Sequence, residues 1–136
     1  MVNQHVTVIY DQEETVNGLG TMIGQYLEQN IEEFENKRKQ ALKLDICTTV
    51  EMDKGIASTI RFSRDKIFIK NGVAEDSDMH MKGSYLTLAN ILTGKANPVK
   101  EILKKNVQII KHPLMKPIQT FRLLSFLKIP KELLIK

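Results

Sequence analysis

At 136 residues and 15.6 kDa the chain is long enough for one domain with a core of its own and too short to suggest two. Hydrophobic residues make up 42% and charged residues 26%, an ordinary globular balance, and no apolar run approaches the roughly 20 residues of a membrane-spanning helix. The formal charge of +4 hides an asymmetry: Met1 to Asp53 carries four Lys/Arg against ten Asp/Glu, whereas Lys54 to Lys136 carries sixteen against six.

Val6 to Tyr10 alternates weakly and reads as a short edge strand or an extended arm. From Thr15 to about Leu42, Leu19, Met22, Ile23, Tyr26, Leu27, Ile31 and Phe34 recur at three- and four-residue steps, which predicts a long amphipathic helix with a break near Asn36. Glu28, Glu32, Glu33 and Glu35, then Lys37, Arg38 and Lys39, form its outer face in an order that suits the helix dipole. At Asp45 the period changes to two. Ile46, Thr48, Val50 and Met52 share one face, Asp53-Lys54-Gly55 turns, Ile56 to Phe62 alternates again, and Ile67 and Ile69 mark a third strand ending at Asn71-Gly72. These three segments form a meander with one apolar side, which the long helix can cover.

A polar crossover from Val73 to Ser77 leads to a strand over Asp78 to Met81 that ends at Gly83. Ser84 is placed to cap a helix with Tyr85, Leu88, Ala89, Ile91 and Leu92 as its apolar stripe and Gly94 as its stop. Asn97-Pro98 opens a further short helix, with Val99, Ile102 and Leu103 inward, before a strand over Val107 to Ile110. After His112-Pro113 the chain is rich in Leu, Ile, Phe and Met, more apolar surface than a small sheet needs. That surplus implies a cavity, a partner surface or a membrane contact. The element order is that of an α+β domain.

Catalysis and metal binding find little support. Cys47, the single cysteine, forms no internal disulfide and no thiolate zinc site, and reads as a small strand residue. His5, His80 and His112 are dispersed without ligand spacing, and His80 with Asp78 and Lys82 reads as a solvated face. Gly18-Leu19-Gly20 and Gly24 follow a strand too late, and with no βαβ unit, to form a dinucleotide loop. No catalytic residue and no cofactor are expected. The absence of tryptophan and of any stacking motif among the basic residues argues against a nucleic-acid partner. MVNQHVTVIY is not a secretory leader and Leu134-Ile135-Lys136 is not a peroxisomal address, so the expectation is a cytoplasmic protein.

Ile67-Phe68-Ile69-Lys70-Asn71-Gly72, Asp78-Met79-His80-Met81, Ile91-Leu92-Thr93-Gly94-Lys95, Asn97-Pro98 and Val107-Gln108-Ile109-Ile110 together resemble the sterol carrier protein type 2 domain family. The Leu-x-Gly-Lys-x-x-Pro element is the most specific part, and the likeness spans about Leu19 to Leu127 within a single domain of residues 1–136. The resemblance implies a five-stranded, mixed but mainly antiparallel sheet with helices covering one face and a lipid tunnel between the two layers. Two departures stand out. The family often has Gly-Lys before its fifth strand where this chain has Lys105-Asn106, and Pro113 and Pro117 predict a late or kinked start to the last helix.

The implied function is non-enzymatic binding, and transfer between membranes, of a fatty-acyl, sterol-like or isoprenoid lipid. Implied cavity residues are Ile46, Val50, Ile60, Ile67, Met79 and Met81 from the sheet, Leu88, Ile91, Leu92, Ile102 and Leu103 from the central helices, and Met115, Ile118 and Phe121 from the C-terminal part. Lys95, Lys100, Lys104, Lys116 and Arg122 are expected to face an anionic membrane. The alternative is an accessory or dimerising module, a homodimer or part of a lipid-handling complex such as that of lipid-quinone biosynthesis.

Overall fold

A computed structural model of the chain describes residues 6–11, 15–53, 55–93, 95–111 and 116–127. The elements in order are β1 (Thr7–Tyr10), α1 (Gly18–Glu33), α2 (Glu35–Ala41), β2 (Asp45–Met52), β3 (Ala57–Ser63), β4 (Lys66–Asn71), β5 (Met79–Gly83), α3 (Tyr85–Leu92), α4 (Pro98–Leu103), β6 (Val107–Lys111) and α5 (Pro117–Phe126). The fold is α+β. Among the described residues the sheet has six strands rather than the expected five, in the order β1-β4-β3-β2-β5-β6. The additional strand is β1, which takes the edge beside β4 in parallel register, Thr7 opposite Lys66 and Tyr10 opposite Ile69. Of the two readings of the weakly alternating Val6 to Tyr10, a short edge strand or an extended arm, the structure shows the edge strand.

The meander β2–β3–β4 is antiparallel, with Thr48 opposite Ile60 and Ile60 opposite Ile69. Gly55 (φ +89°) and Gly72 (φ +85°) adopt the left-handed conformations that the turn residues predict. Lys105 does so too, at φ +65°, so the backbone keeps the conformation for which a glycine is the usual choice. The crossover sets β5 parallel to β2, Thr48 opposite Met79 and Val50 opposite Met81, and β6 pairs antiparallel with β5 as the other edge.

The predicted long helix breaks at Phe34, not Asn36. Phe34 is extended (φ −121°, ψ 110°); its N–H donates to Asn30 O at 3.0 Å to finish α1, and its carbonyl accepts from Arg38 N at 3.1 Å to start α2. Asn17 anchors the other end of α1. Its side chain accepts from Gly20 N at 2.9 Å and from Ser58 Oγ at 3.0 Å and donates to Ala57 O at 2.9 Å, while its own N–H donates to Asn71 Oδ1 at 2.7 Å. Two glycines of α1 serve packing: a Cβ on Gly20 would lie 2.9 Å from Ser58 Oγ, and one on Gly24 would collide with the Tyr10 ring. Ser84 and Asn97 cap α3 and α4 as predicted, and Pro117 occupies the first turn of a late α5.

The core lies between the helices and the sheet face that carries Ile46, Val50, Ile60, Phe62, Ile67, Ile69, Met79 and Met81. Lys37, expected on the outer face of the helix, is instead 3% exposed. Its ammonium donates to the Phe126 carbonyl in the last turn of α5, where the helix dipole favours a cation, and lies 5.4 Å from the Phe126 ring centroid. That ring meets Phe62 edge-on at 6.1 Å. Lys37 thus helps to hold α5 over the sheet. The opposite sheet face is strapped by the crossover: Asp78 N donates to Cys47 O and Cys47 N to Asp78 Oδ2, while Arg61 bridges to Asp76 at 2.8 Å. Among the described residues no helix is long and apolar enough to cross a membrane. Lys54, Gly94, His112, Pro113 and the apolar stretch after Leu127 lie outside the described residues.

Candidate functional site

Strand alternation puts Thr48 and Val50 of β2, Ile60 and Phe62 of β3 and Met81 of β5 on the helix-facing side of the sheet. The helices do not fill the space above them. Ile23 and Leu27 of α1, Leu88, Ile91 and Leu92 of α3, Pro98 and Ile102 of α4, Val107 of β6, Leu123 of α5 and Leu127 beyond it complete the wall of a cavity of about 50 Å³. Leu92, Ile102 and Leu127 are half-buried and mark the side on which the cavity meets solvent. At roughly 10–15 Å³ for each water-sized position, the cavity offers space for only a few atoms. A long hydrocarbon chain enters only if a wall moves outward, and the six-residue α4 is the shortest helix in that wall.

The structure gathers seven of the expected lining residues at the cavity: Val50, Ile60, Met81, Leu88, Ile91, Leu92 and Ile102. Ile46, Ile67 and Met79 are buried, but in solid core outside the cavity wall. Leu103, Ile118 and Phe121 depart from expectation, being 76%, 67% and 71% exposed. Their helices are apolar on more than one side, so spacing alone does not reveal the buried face; α4 inserts Pro98 and Ile102, and α5 inserts Leu123 and Phe126. Tyr85 and Val99, also expected inward, are 51% and 38% exposed. Met115 lies outside the described residues. Sequence reasoning missed Ile23, Leu27, Thr48, Phe62, Pro98, Val107, Leu123 and Leu127 as wall residues. Alternation does point to Thr48 and Phe62, and the α1 stripe to Ile23 and Leu27. For Pro98 no such signal exists.

Of the expected membrane-facing cations, Lys95, Lys100 and Lys104 are exposed, Lys100 on α4, Lys95 before it and Lys104 at its C-terminal end next to exposed Leu103. Lys116 and Arg122 are engaged within the fold. Lys116 pairs with Asp78 at 3.3 Å and donates to Asp45 O, and Arg122 donates to Lys43 O at 3.4 Å.

Among the described residues no titratable side chain lines the cavity. His80 pairs with Glu51 at 2.8 Å, not with Asp78 just before the strand or Lys82 within it, and both His80 and Glu51 are largely buried. Cys47 is buried beneath the crossover, and burial above all pushes its thiol pKa up, with the nearby Arg61 charge opposing. Among the described residues no group of three or more His, Cys, Asp or Glu is placed to hold a metal. The arrangement suits enclosure of hydrocarbon.

No family model and no curated protein matches the chain by sequence. Solved structures do resemble it. The sterol carrier protein domain 2 of Helicoverpa armigera superposes with a TM-score of 0.58 at 15% identity, covering 84% of this chain and 91% of that one. UbiJ-SCP2, a ubiquinone synthesis protein, gives 0.54 at 15% identity over 81% and 87% of the two chains. Palmitated SCP2L2 from Aedes aegypti gives 0.54 at 9% identity over 78% and 91%. At such identities the shared property is the arrangement of elements, and the chain has the fold of the sterol carrier protein 2 domain.

Proposed function

We propose that the protein is a non-enzymatic carrier that shields a hydrophobic lipid, fatty-acyl, sterol-like or isoprenoid, in the cavity between sheet and helices. The observation that supports it is a space between sheet and helices whose described walls are hydrocarbon except at Thr48. The palmitated state named for the Aedes aegypti structure agrees with an acyl ligand in this fold. Each buried methylene contributes about 0.8 kcal/mol, so an outward movement costing ~3 kcal/mol is offset by about four methylenes. Val50, Ile60, Met81, Leu88, Ile91, Leu92 and Ile102 contact the ligand in this reading. Lys95, Lys100 and Lys104, with Leu103 among them, meet an anionic membrane beside the solvent side of the cavity. A cytoplasmic setting belongs to the same proposal.

Mass spectrometry of lipid extracted from gently purified protein, paired with displacement of a fluorescent fatty acid, tests the reading. Copurified lipid and saturable displacement are expected. Absence of both would overturn it.

A second reading is an interaction module, favoured by Ile118 and Phe121, two exposed apolar side chains three residues apart on α5, and by the resemblance to UbiJ-SCP2. Light scattering decides here. A stable dimer that the double substitution Ile118→Ser with Phe121→Ser dissociates, in a protein free of lipid, supports the module over the carrier.

A further inference from the structure

One residue interrupts the hydrocarbon wall. Thr48 is 2% exposed, stands between Ile46 and Val50 on the cavity side of β2, and its Oγ1 has no hydrogen-bond partner among the described residues. Its buried neighbours differ. Thr49 Oγ1 is paired with Thr59 Oγ1 at 3.0 Å, Thr59 Oγ1 donates to Gly72 O at 2.8 Å, and Ser58 Oγ donates to Asn17 Oδ1. The residues opposite Thr48 are Ile60 on β3 and Met79 on β5, and neither pairs with its hydroxyl. A valine would keep the branched shape that suits a strand without leaving a hydroxyl desolvated. A lone water is a poor partner, because a buried water needs two to four polar groups and every other lining side chain among the described residues is apolar.

We propose that Thr48 is a specificity residue that hydrogen-bonds a neutral oxygen, a hydroxyl or a carbonyl, at the buried end of a lipid ligand. The inference rests on the carrier reading and narrows it. An ionised carboxylate at this depth would find no cation among the described wall residues to offset its desolvation. A pure hydrocarbon would leave Oγ1 unpaired. The ligand therefore lies oxygen-first, its hydrocarbon leading out toward Leu92, Ile102 and Leu127; an ionised fatty acid takes the cavity only tail-first.

Displacement of diphenylhexatriene by dodecanol, methyl decyl ketone, dodecane and dodecanoate, on the wild type, Thr48→Val and Thr48→Ser, tests this. Dodecanol or the ketone is expected to bind the wild type and Thr48→Ser about two- to twelve-fold more tightly than Thr48→Val, the range of one hydrogen bond. Dodecane is expected to bind all three alike. Which of the two oxygenated probes shows the larger loss distinguishes a hydroxyl from a carbonyl ligand. Equal binding of dodecanol and the ketone to wild type and Thr48→Val overturns the assignment of Thr48 while leaving the carrier intact. Should Thr48→Val fail to fold, Thr48→Ala takes its place, and equal loss of dodecanol, ketone and dodecane binding in Thr48→Ala relative to wild type also overturns it, because dodecane senses only the missing methyl volume. Failure of every probe to bind removes the carrier reading and this inference together.

Discussion

Gly20→Ala tests the close approach that seats α1 on the sheet. An added Cβ at Gly20 would lie 2.5 Å from Val16 Cγ1, 2.9 Å from Ser58 Oγ and 3.2 Å from Ile69 Cγ2, whereas at Gly18 in the same helix it would meet nothing within 4 Å. Ser58 cannot turn away without cost, because its hydroxyl donates to the Asn17 side chain that caps α1. Alanine favours the helix over glycine by up to about 1 kcal/mol at either site, so the gain largely cancels between the two variants. Overpacking of about 1–3 kcal/mol is left at Gly20 alone. Gly20→Ala is therefore expected to be less stable than Gly18→Ala by about 1–3 kcal/mol in urea titrations with unchanged m values. In thermal melts the two should differ by roughly 3–10 °C. Equal midpoints would refute the reasoning, since they would mean that the helix rides above the sheet with room to spare.

Cys47 should react slowly with iodoacetamide at neutral pH in the folded protein and quickly on unfolding, because burial raises its pKa and covers its sulfur. As the folded value lies above the ordinary 9.0, this group supports the fold below that pH and the support is lost as pH rises through the raised value, so the urea midpoint should fall on the alkaline side. Rapid labelling of the native state would contradict the buried placement. Lys100→Glu with Lys104→Glu should weaken binding to phosphatidylserine vesicles by about thirty-fold or more, from about 1 kcal/mol for each lysine near an anionic surface, and the difference should shrink in high salt. Unchanged binding would reject the membrane-facing rim.

Where local chemistry sets the structure, the chain could be read closely. Asp45 to Met52 alternates without interruption and forms a strand over those residues, and Ser84 and Asn97 cap the helices they precede. The helix breaks two residues earlier than its spacing predicts, because Phe34 fits the apolar stripe as well as it fits a hinge. The cavity was only half legible. Periodicity distinguishes inside from outside but not solid core from cavity wall, so Ile46 and Val50, four residues apart on one face, look alike until the helices are placed above them. The outward turn of Leu103 depends on how Pro98 and Ile102 anchor a helix less than two turns long, which no spacing rule records.

Strand β1 has a consequence beyond completing the sheet. Without it, the outer edge of the sheet would be β4, whose Lys-Ile-Phe-Ile-Lys sequence is branched, aromatic and well suited to recruit a strand from another molecule. Thr7 N donating to Asp65 O, the parallel register through Tyr10, and Asp11 N donating to Ile69 O occupy that edge along nearly its whole length. The four residues of β1 thereby act as a guard against aggregation, and losing their pairing would threaten solubility before it threatened the cavity.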